Sequence, residues 1–457
     1  MATIALSSSS NGKGTMVPVT FNTQRSVEAE KPDAQRRFAH MDIRRVLNQV
    51  IGRLRTDNIN IDKSTLPQLC GVTREIVDSD SSLSYSAVER QQFTAQVIDE
   101  MIGYGPLEPL ISDETVTDIQ INGAKHIFVE VGGIKKKTTI TFEDDEHLKH
   151  FIERIVSAVG RRVDETSPMV NARLRDGSRV NVVLPPVSLI GPVVTIRKFG
   201  TRRIGERDLL ESHSLAPWMM EFLQAAVRAR LNIIISGGGG AGKTTLLNVI
   251  SRSIPQNERM VTIEDSAELQ LIQPNVVSLE TRQESLEGKG IITQRDLVVN
   301  ALRMSPDRIL VGEVRDEAAF DMLQAMNTGH EGSLTTIHAN SPRDALSRLE
   351  NLVLMGKINM PESSIRNQIA SAIDLIVQGT RMSDGTRRIT SVSEVTGTQG
   401  PVISMQEIFS FDRDTVCADG KVKGTFRGHG TIPECCGKIE LAGSTFPAGF
   451  FSQKMEA

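Results

Sequence analysis

Residues 231–252 read "LNIIISGGGGAGKTTLLNVISR", an apolar strand that runs into glycines and then directly into a helix. No other stretch of the chain restricts its fold so tightly. The middle of it fits G-x-x-x-x-G-K-[ST], with Gly237, Gly242, Lys243 and Thr244 in the defining places. Glycine is needed there because the backbone must turn through unusual dihedrals while its N–H groups point inward at phosphate oxygens. The helix that follows adds the positive end of its dipole. Gly237, Gly238, Gly239, Gly240, Ala241, Gly242, Lys243, Thr244 and Thr245 are therefore the expected cradle of a nucleoside triphosphate. Lys243 would reach the β- and γ-phosphates, and the Thr244 hydroxyl would ligate Mg²⁺.

The surroundings support an open sheet. "WMMEFLQAAVRAR" precedes the strand as a helix, and the strands "MVTIE", "RILVGEV", "SLTTIH" and "DLIVQ" follow, separated by helical stretches. Alternation of this kind implies an α/β fold with a mostly parallel sheet covered on both faces. Upstream, "VTDIQING", "HIFVEV", "KTTITF", "SRVNVVLP" and "GPVVTIRKF" alternate as strands around the helix "DEHLKHFIERIVSAVG", giving a smaller α+β domain. Before it, "MDIRRVLNQVIGRL" puts Ile43, Val46, Leu47, Val50, Ile51 and Leu54 on one helical stripe. Such a stripe suits a core, or, with four arginines opposite, a membrane surface. Ser86 and Glu89 form a capping box for a further helix, on which Phe93, Val97 and Met101 share a face. The domains expected are a disordered tail (1–36), a helical region (37–103), an α+β domain (104–200), a polar linker (201–212), the phosphate-binding domain (213–400) and a Gly-rich C-terminal extension (401–457).

Composition narrows the function. A net charge of -4 with 4% aromatic residues argues against nucleic acid as a direct partner, which would need a basic channel and stacking rings. No run approaches the ~18 apolar residues of a membrane span. The N-terminus lacks the pattern of an export signal, and Cys70, Cys417, Cys435 and Cys436 make no disulfide framework, so a cytoplasmic protein is expected. A metal site from Cys435, Cys436 and His429 has the wrong spacing.

A phosphate loop needs acidic partners. The usual Asp at the end of the next-but-one strand is missing: "RILVGEV" has Gly312 there, followed by Glu313. The strand "VTIEDSAEL" ends in Glu264 and Asp265, with Glu268 in the following turn. Glu264, Asp265 and Glu313 are the expected set for ordering Mg²⁺ and the attacking water, and sequence does not separate the general base from its neighbours among Glu264, Glu268 and Glu313. "GHEGSLTTIHANS" delivers His338 from a strand end and carries His330 before the strand. Either imidazole suits a sensor of the γ-phosphate. A helix C-cap for His330 and a core role for His338 account for them equally well.

Four motifs now stand in order: "GGGGAGKTT", "TIEDSAEL", "ILVGEVRD" and "NTGHEGSLTTIHANS". The series resembles the Walker A, Asp box, atypical Walker B and His box of the type II/type IV secretion ATPase superfamily. "SPMVNARLRDGSRVNVVLPP", "VTIRKFG", "GYGPLEPL", "ASAIDLIVQ" and "HANSPRDALSRLE" resemble its CpaF-like branch, the motors of Flp/Tad pilus assembly. The resemblance covers about residues 37–400. It implies a RecA-like domain after a PAS-like α+β domain, ATP and Mg²⁺ held between them, and a homo-hexamer. It also implies an ATPase working at the cytoplasmic face of the inner membrane, touching it through a platform protein. Arginines from the α+β domain and from a neighbouring subunit reach the phosphates in that family; Arg179 and Arg197 fit, with Arg315 in a weaker position. Conjugative secretion, pilus retraction and, less well, nucleic-acid translocation are the alternatives. Three departures stand out: Gly239 and Ala241 where the branch has Thr and Ser, and Asp316 for a frequent Gly.

Overall fold

The computed structural model describes residues 38, 40–57, 59, 65–174, 176–199, 204–282, 290–356, 360–416 and 420–457. The expected tail, Cys417 and the first part of the expected linker lie outside them. The chain divides into two compact units, Met1–Ile102 and Gly103–Ala457.

Among its described residues the first unit is a three-helix bundle: α1 (His40–Thr56), α2 (Leu66–Ser79) and α3 (Ala87–Ile102). Ile43, Val46, Val50 and Leu54 of α1 pack against Leu69 and Val77 of α2 and Phe93, Val97 and Met101 of α3. The α1 stripe is therefore core, and the membrane-surface reading falls away for that face. The Ser86 capping box is formed, with Glu89 Oε2 accepting from Ser86 N at 2.8 Å and Ser86 Oγ from Glu89 N at 3.3 Å.

The second unit contains two sheets. After α4 (Glu108–Ser112) come β1 (Val116–Asn122), β2 (Ile127–Val131), β3 (Ile134–Lys137), α5 (Asp145–Ser157), β4 (Met169–Arg173), β5 (Arg179–Val183) and β6 (Val193–Arg197). The strands form an antiparallel sheet in the order β3-β2-β1-β6-β5-β4. Alternate residues Ile119, Ile121, Val180, Val182, Val194 and Ile196 meet Leu148, Phe151, Ile152 and Ile155 of α5, as period-two and period-3.6 patterns require.

The rest of the unit runs α6 (Glu206–Glu211), α7 (Pro217–Arg228), β7 (Ile233–Gly237), α8 (Lys243–Ile250), β8 (Met260–Glu264), β9 (Val276–Glu280), α9 (Gln294–Ala301), β10 (Arg308–Val311), α10 (Ala318–Asn327), β11 (Leu334–Ile337), α11 (Pro342–Met355), α12 (Glu362–Ala372), β12 (Leu375–Arg381), β13 (Arg387–Gln399), β14 (Val402–Val416), β15 (Val422–Gly428), α13 (Cys436–Leu441) and β16 (Lys454–Glu456). Ten strands make one sheet, ordered β16-β15-β14-β13-β12-β7-β11-β10-β8-β9. The six from β12 to β9 are parallel; the four from β13 to β16 join antiparallel. Ile233 and Ile235 face the core under α7 and α8, while Ile234 faces the one under α10, α11 and α12. Helices on both faces are why all of β7 is apolar or small.

Two features add to the sequence reading. Residues 206–211 of the expected linker are helical, because Leu209 and Leu210 pack on the core of the large sheet. Six of the ten strands of this sheet are parallel, and the C-terminal strands extend it with four antiparallel ones. Glycines hid those strands from a propensity reading. At Gly428 a Cβ would stand 2.1 Å from the Phe451 carbonyl oxygen, so close packing demands the glycine.

Candidate active site

The carboxyl end of β7 runs into the glycine loop beside β12. A Cβ on Gly237 would lie 2.5 Å from the Gly379 carbonyl oxygen, so neither backbone leaves room for a side chain at 237. Gly240 (φ 69°) and Gly242 (φ 88°) take left-handed conformations that let the chain turn into α8. Gly239 faces open space, so the Thr common in the resembling branch is not sterically excluded there. Lys243 is buried, its Nζ donating to the carbonyls of Gly237 and Gly238, each at 3.1 Å. Burial holds its pKa below the usual lysine value, and the charge of Arg197 adds to that. Thr244 and Thr245 are half-buried in the first turn of α8.

Neighbouring strands bring acids to the same edge. Glu264 is buried at the end of β8; its Oε1 accepts from Glu268 N at 2.8 Å and Leu269 N at 3.0 Å. Its Oε2 has no partner among the described residues. Burial pushes the carboxyl up to about 7, against the pull of those two N–H groups. β8 and β10 pair in parallel, and a Cβ on Gly312 would stand 2.8 Å from Glu264 Cγ. The Glu264 side chain thus fills the place that an Asp at 312 would claim. One strand over, Glu313 Oε2 lies 3.5 Å from His338 Nε2, and that nitrogen is 3.3 Å from Lys243 Nζ. Burial first, then the Lys243 charge, holds the imidazole below its usual value, against the pull of Glu313.

Lys243, Glu313 and His338 are thus in contact, and Glu264 stands at the same sheet edge. Asp265, in the bend after β8, pairs with Arg315 Nη1 at 3.0 Å. No cluster of three acidic, His or Cys ligands occurs among the described residues. Arg315, also 3.4 Å from Glu313, is held by these two acids. The Thr244 hydroxyl, Glu313 and the unpartnered Glu264 Oε2 are hard oxygen donors of the kind that suits a Mg²⁺ arriving with a triphosphate.

The two histidines part company. The pair Leu334↔Ile233 marks the amino end of β11 and Ile337↔Ser236 its carboxyl end. His338 follows the carboxyl end; His330 precedes the amino end, on the far edge from the loop. His330 therefore stands away from the glycine loop. Its carbonyl accepts from Ser333 Oγ at 2.8 Å.

The six-stranded sheet supplies arginines. Arg179 and Arg197 are register partners on β5 and β6. Arg179 Nη2 donates to the Ser266 carbonyl at 2.7 Å and pairs with Glu268 at 2.9 Å. Arg197 is exposed, 3.7 Å from Asp118. Three arginines escaped the sequence reading. Arg173 Nη1 pairs with Glu280 at 2.5 Å and its Nη2 donates to Ala267 O at 3.2 Å. Arg387 Nε donates to Gly240 O at 2.9 Å, and Arg381 reaches from Gly240 to the Gly133 carbonyl. The Asp-Gly turn in "RMSDGTRR" signals their hairpin, but nothing local says that it folds over the glycine loop.

A left-handed glycine loop, a buried lysine, two carboxylates and an imidazole form an arrangement suited to triphosphate hydrolysis. The family model described as type II/IV secretion system protein matches residues 100–417. The chain belongs to that family. Similar curated proteins include the conjugal transfer protein TrbB of Rhizobium radiobacter, 35% identical over 63% of this chain and 86% of that one. The type IV secretion system protein VirB11 of Bartonella quintana is 31% identical over 63% and 90%. Among solved structures, the VirB11 ATPase of the Brucella suis type IV secretion system, in complex with sulphate, aligns with 29% identity and a TM-score of 0.35, covering 63% of this chain and 94% of that one. Membership of this secretion ATPase family implies nucleotide binding, and the glycine loop is where the family member described here offers it.

Proposed function

We propose that this secretion-family chain is a mechanochemical ATPase that takes Mg²⁺–ATP and drives assembly of a Flp/Tad-type pilus, as a CpaF-like motor. The observation that carries the reading is the arginine bridge between its sheets. Arg179 and Arg173 of the antiparallel sheet grip the loop that follows Glu264 and carries Glu268, and Arg173 also pairs with Glu280 at the end of β9. Charge lost or moved at that loop changes what the arginines hold, so hydrolysis is coupled to the angle between sheets. In this reading Lys243 and the loop N–H groups neutralise the phosphates, Glu264 or Glu313 orders the attacking water, and His338 donates to the γ-phosphate. Arg179 and Arg197 close on the phosphates from the second sheet. Six copies form a ring, because one motor must act continuously on a membrane platform protein at the cytoplasmic face of the inner membrane. Among the described residues no helix is long and apolar enough to cross a membrane, so force passes through that partner.

Lys243→Ala should abolish turnover and pilus formation together; piliation that persists with a dead ATPase refutes the motor. His338→Ala should leave ATP binding nearly intact and cripple hydrolysis. A second reading, an ATPase of conjugative type IV secretion, is favoured by the likeness to TrbB and VirB11. Deleting the gene in its host separates the two: loss of pili with DNA transfer unchanged supports the first, and the reverse supports the second.

A further inference from the structure

Sheet order divides the surroundings of the glycine loop in two. On one flank of β7 lie β11, β10 and β8, with His338, Glu313 and Glu264 at their ends. On the other flank lie β12 and β13, with Arg381 and Arg387 paired in register beside the hairpin turn. A triphosphate in the loop turns its terminal phosphate toward the carboxylates, where hydrolysis takes place. Its nucleoside end therefore leaves on the β12–β13 side.

Both arginines touch the loop there. Arg381 Nη1 is 3.5 Å from where a Cβ on Gly240 would stand, and Arg387 Cδ is 3.4 Å from the same point on Gly242. The Arg381 guanidinium is already engaged, by the Gly133 carbonyl and by Glu130 at 3.8 Å. Arg387 differs. It is exposed, its Nε is fixed to Gly240 O, and its two terminal nitrogens carry no protein partner among the described residues. One hydrogen bond thus holds a planar fork of donors beside the loop, ready for an anion.

We propose that Arg387 binds the α-phosphate of the nucleotide, from the flank opposite the hydrolytic carboxylates. The inference rests on the nucleotide-site reading above. A contact to the α-phosphate is made equally with ATP and ADP, so it acts on binding and not on the chemical step. A charge-assisted contact of this kind is worth about tenfold to hundredfold in affinity.

The test is titration of the full chain with methylanthraniloyl-ADP and -ATP, together with steady-state ATPase kinetics. Arg387→Ala should weaken both nucleotides by the same factor, about tenfold or more, and raise KM with kcat changed less than about threefold. Arg387→Lys should fall between. Should the alanine variant fail to fold, Arg387→Gln, which keeps most of the side chain along Gly242, serves for the same measurement. Wild-type affinity in the folded variant overturns the proposal, and so does a drop in kcat with KM unchanged. Wild-type protein that retains neither nucleotide refutes the site itself, an outcome distinct from an indifferent Arg387 in a chain that binds both.

Discussion

Replacing Glu264 by Gln isolates the most perturbed acid at the phosphate edge. Between the ordinary carboxyl value of 4.5 and about 7, the folded chain keeps a proton on Glu264 that the unfolded chain has released. The folded pKa is the raised one, so the stabilisation is complete below 4.5 and is lost as pH rises toward 7. The slope is roughly 1.4 kcal/mol per pH unit, about 3 kcal/mol across the window, and zero above it. Glu264→Gln keeps an oxygen for the N–H groups of Glu268 and Leu269, so the loop after β8 should stay in place. The new amide nitrogen replaces an oxygen that has no partner; its cost, about 1–3 kcal/mol, is the same at every pH. Urea denaturation of nucleotide-free protein from pH 4 to 9 measures the effect. Wild-type stability minus that of the variant should fall by about 3 kcal/mol up to pH 7 and then level off. Parallel curves across that range would show that burial does not hold the proton, and the account of Glu264 would be refuted.

Other perturbations test the surroundings. Gly312→Ala drives a methyl group to 2.8 Å from Glu264 Cγ; turnover should fall sharply while melting costs only about 1–3 kcal/mol, and undiminished kcat would contradict the packing argument. Asp316 has φ 45°, so Asp316→Gly should be neutral or stabilising and Asp316→Val should cost about 1–3 kcal/mol, as thermal denaturation can check. Arg308, fully buried, pairs with Glu258 at 2.5 and 3.1 Å. Glu258→Gln strands that charge and should cost about 3–5 kcal/mol in urea, whereas a loss below 1 kcal/mol would mean that water or another acid compensates.

Much of this site was legible one-dimensionally because its parts are local. The glycine loop is continuous in sequence, and its requirements, left-handed turns followed by a helix start, are written in Gly240, Gly242, Lys243 and Thr244 themselves. The expectation that Glu264 and Glu313 stand at one sheet edge also came from strand endings. Direction within a strand was harder. His330 and His338 lie eight residues apart, but β11 between them carries one to the loop and the other to the far edge. Nothing in the sequence showed that Asp265, beside the buried Glu264, would share Arg315 with Glu313.

What the chain alone determined is the chemistry of the phosphate cradle and the alternation of helices and strands around it, because short-range backbone geometry and residue periodicity encode both. Only tertiary structure decided which distant groups close on the cradle. Arg173 and Arg179 reach across about a hundred residues of chain to the loop after β8, and Arg387 reaches Gly240 across 147. Such pairings depend on sheet order and on which strands lie side by side, and those are settled by the burial of whole faces, not by any stretch of sequence read on its own.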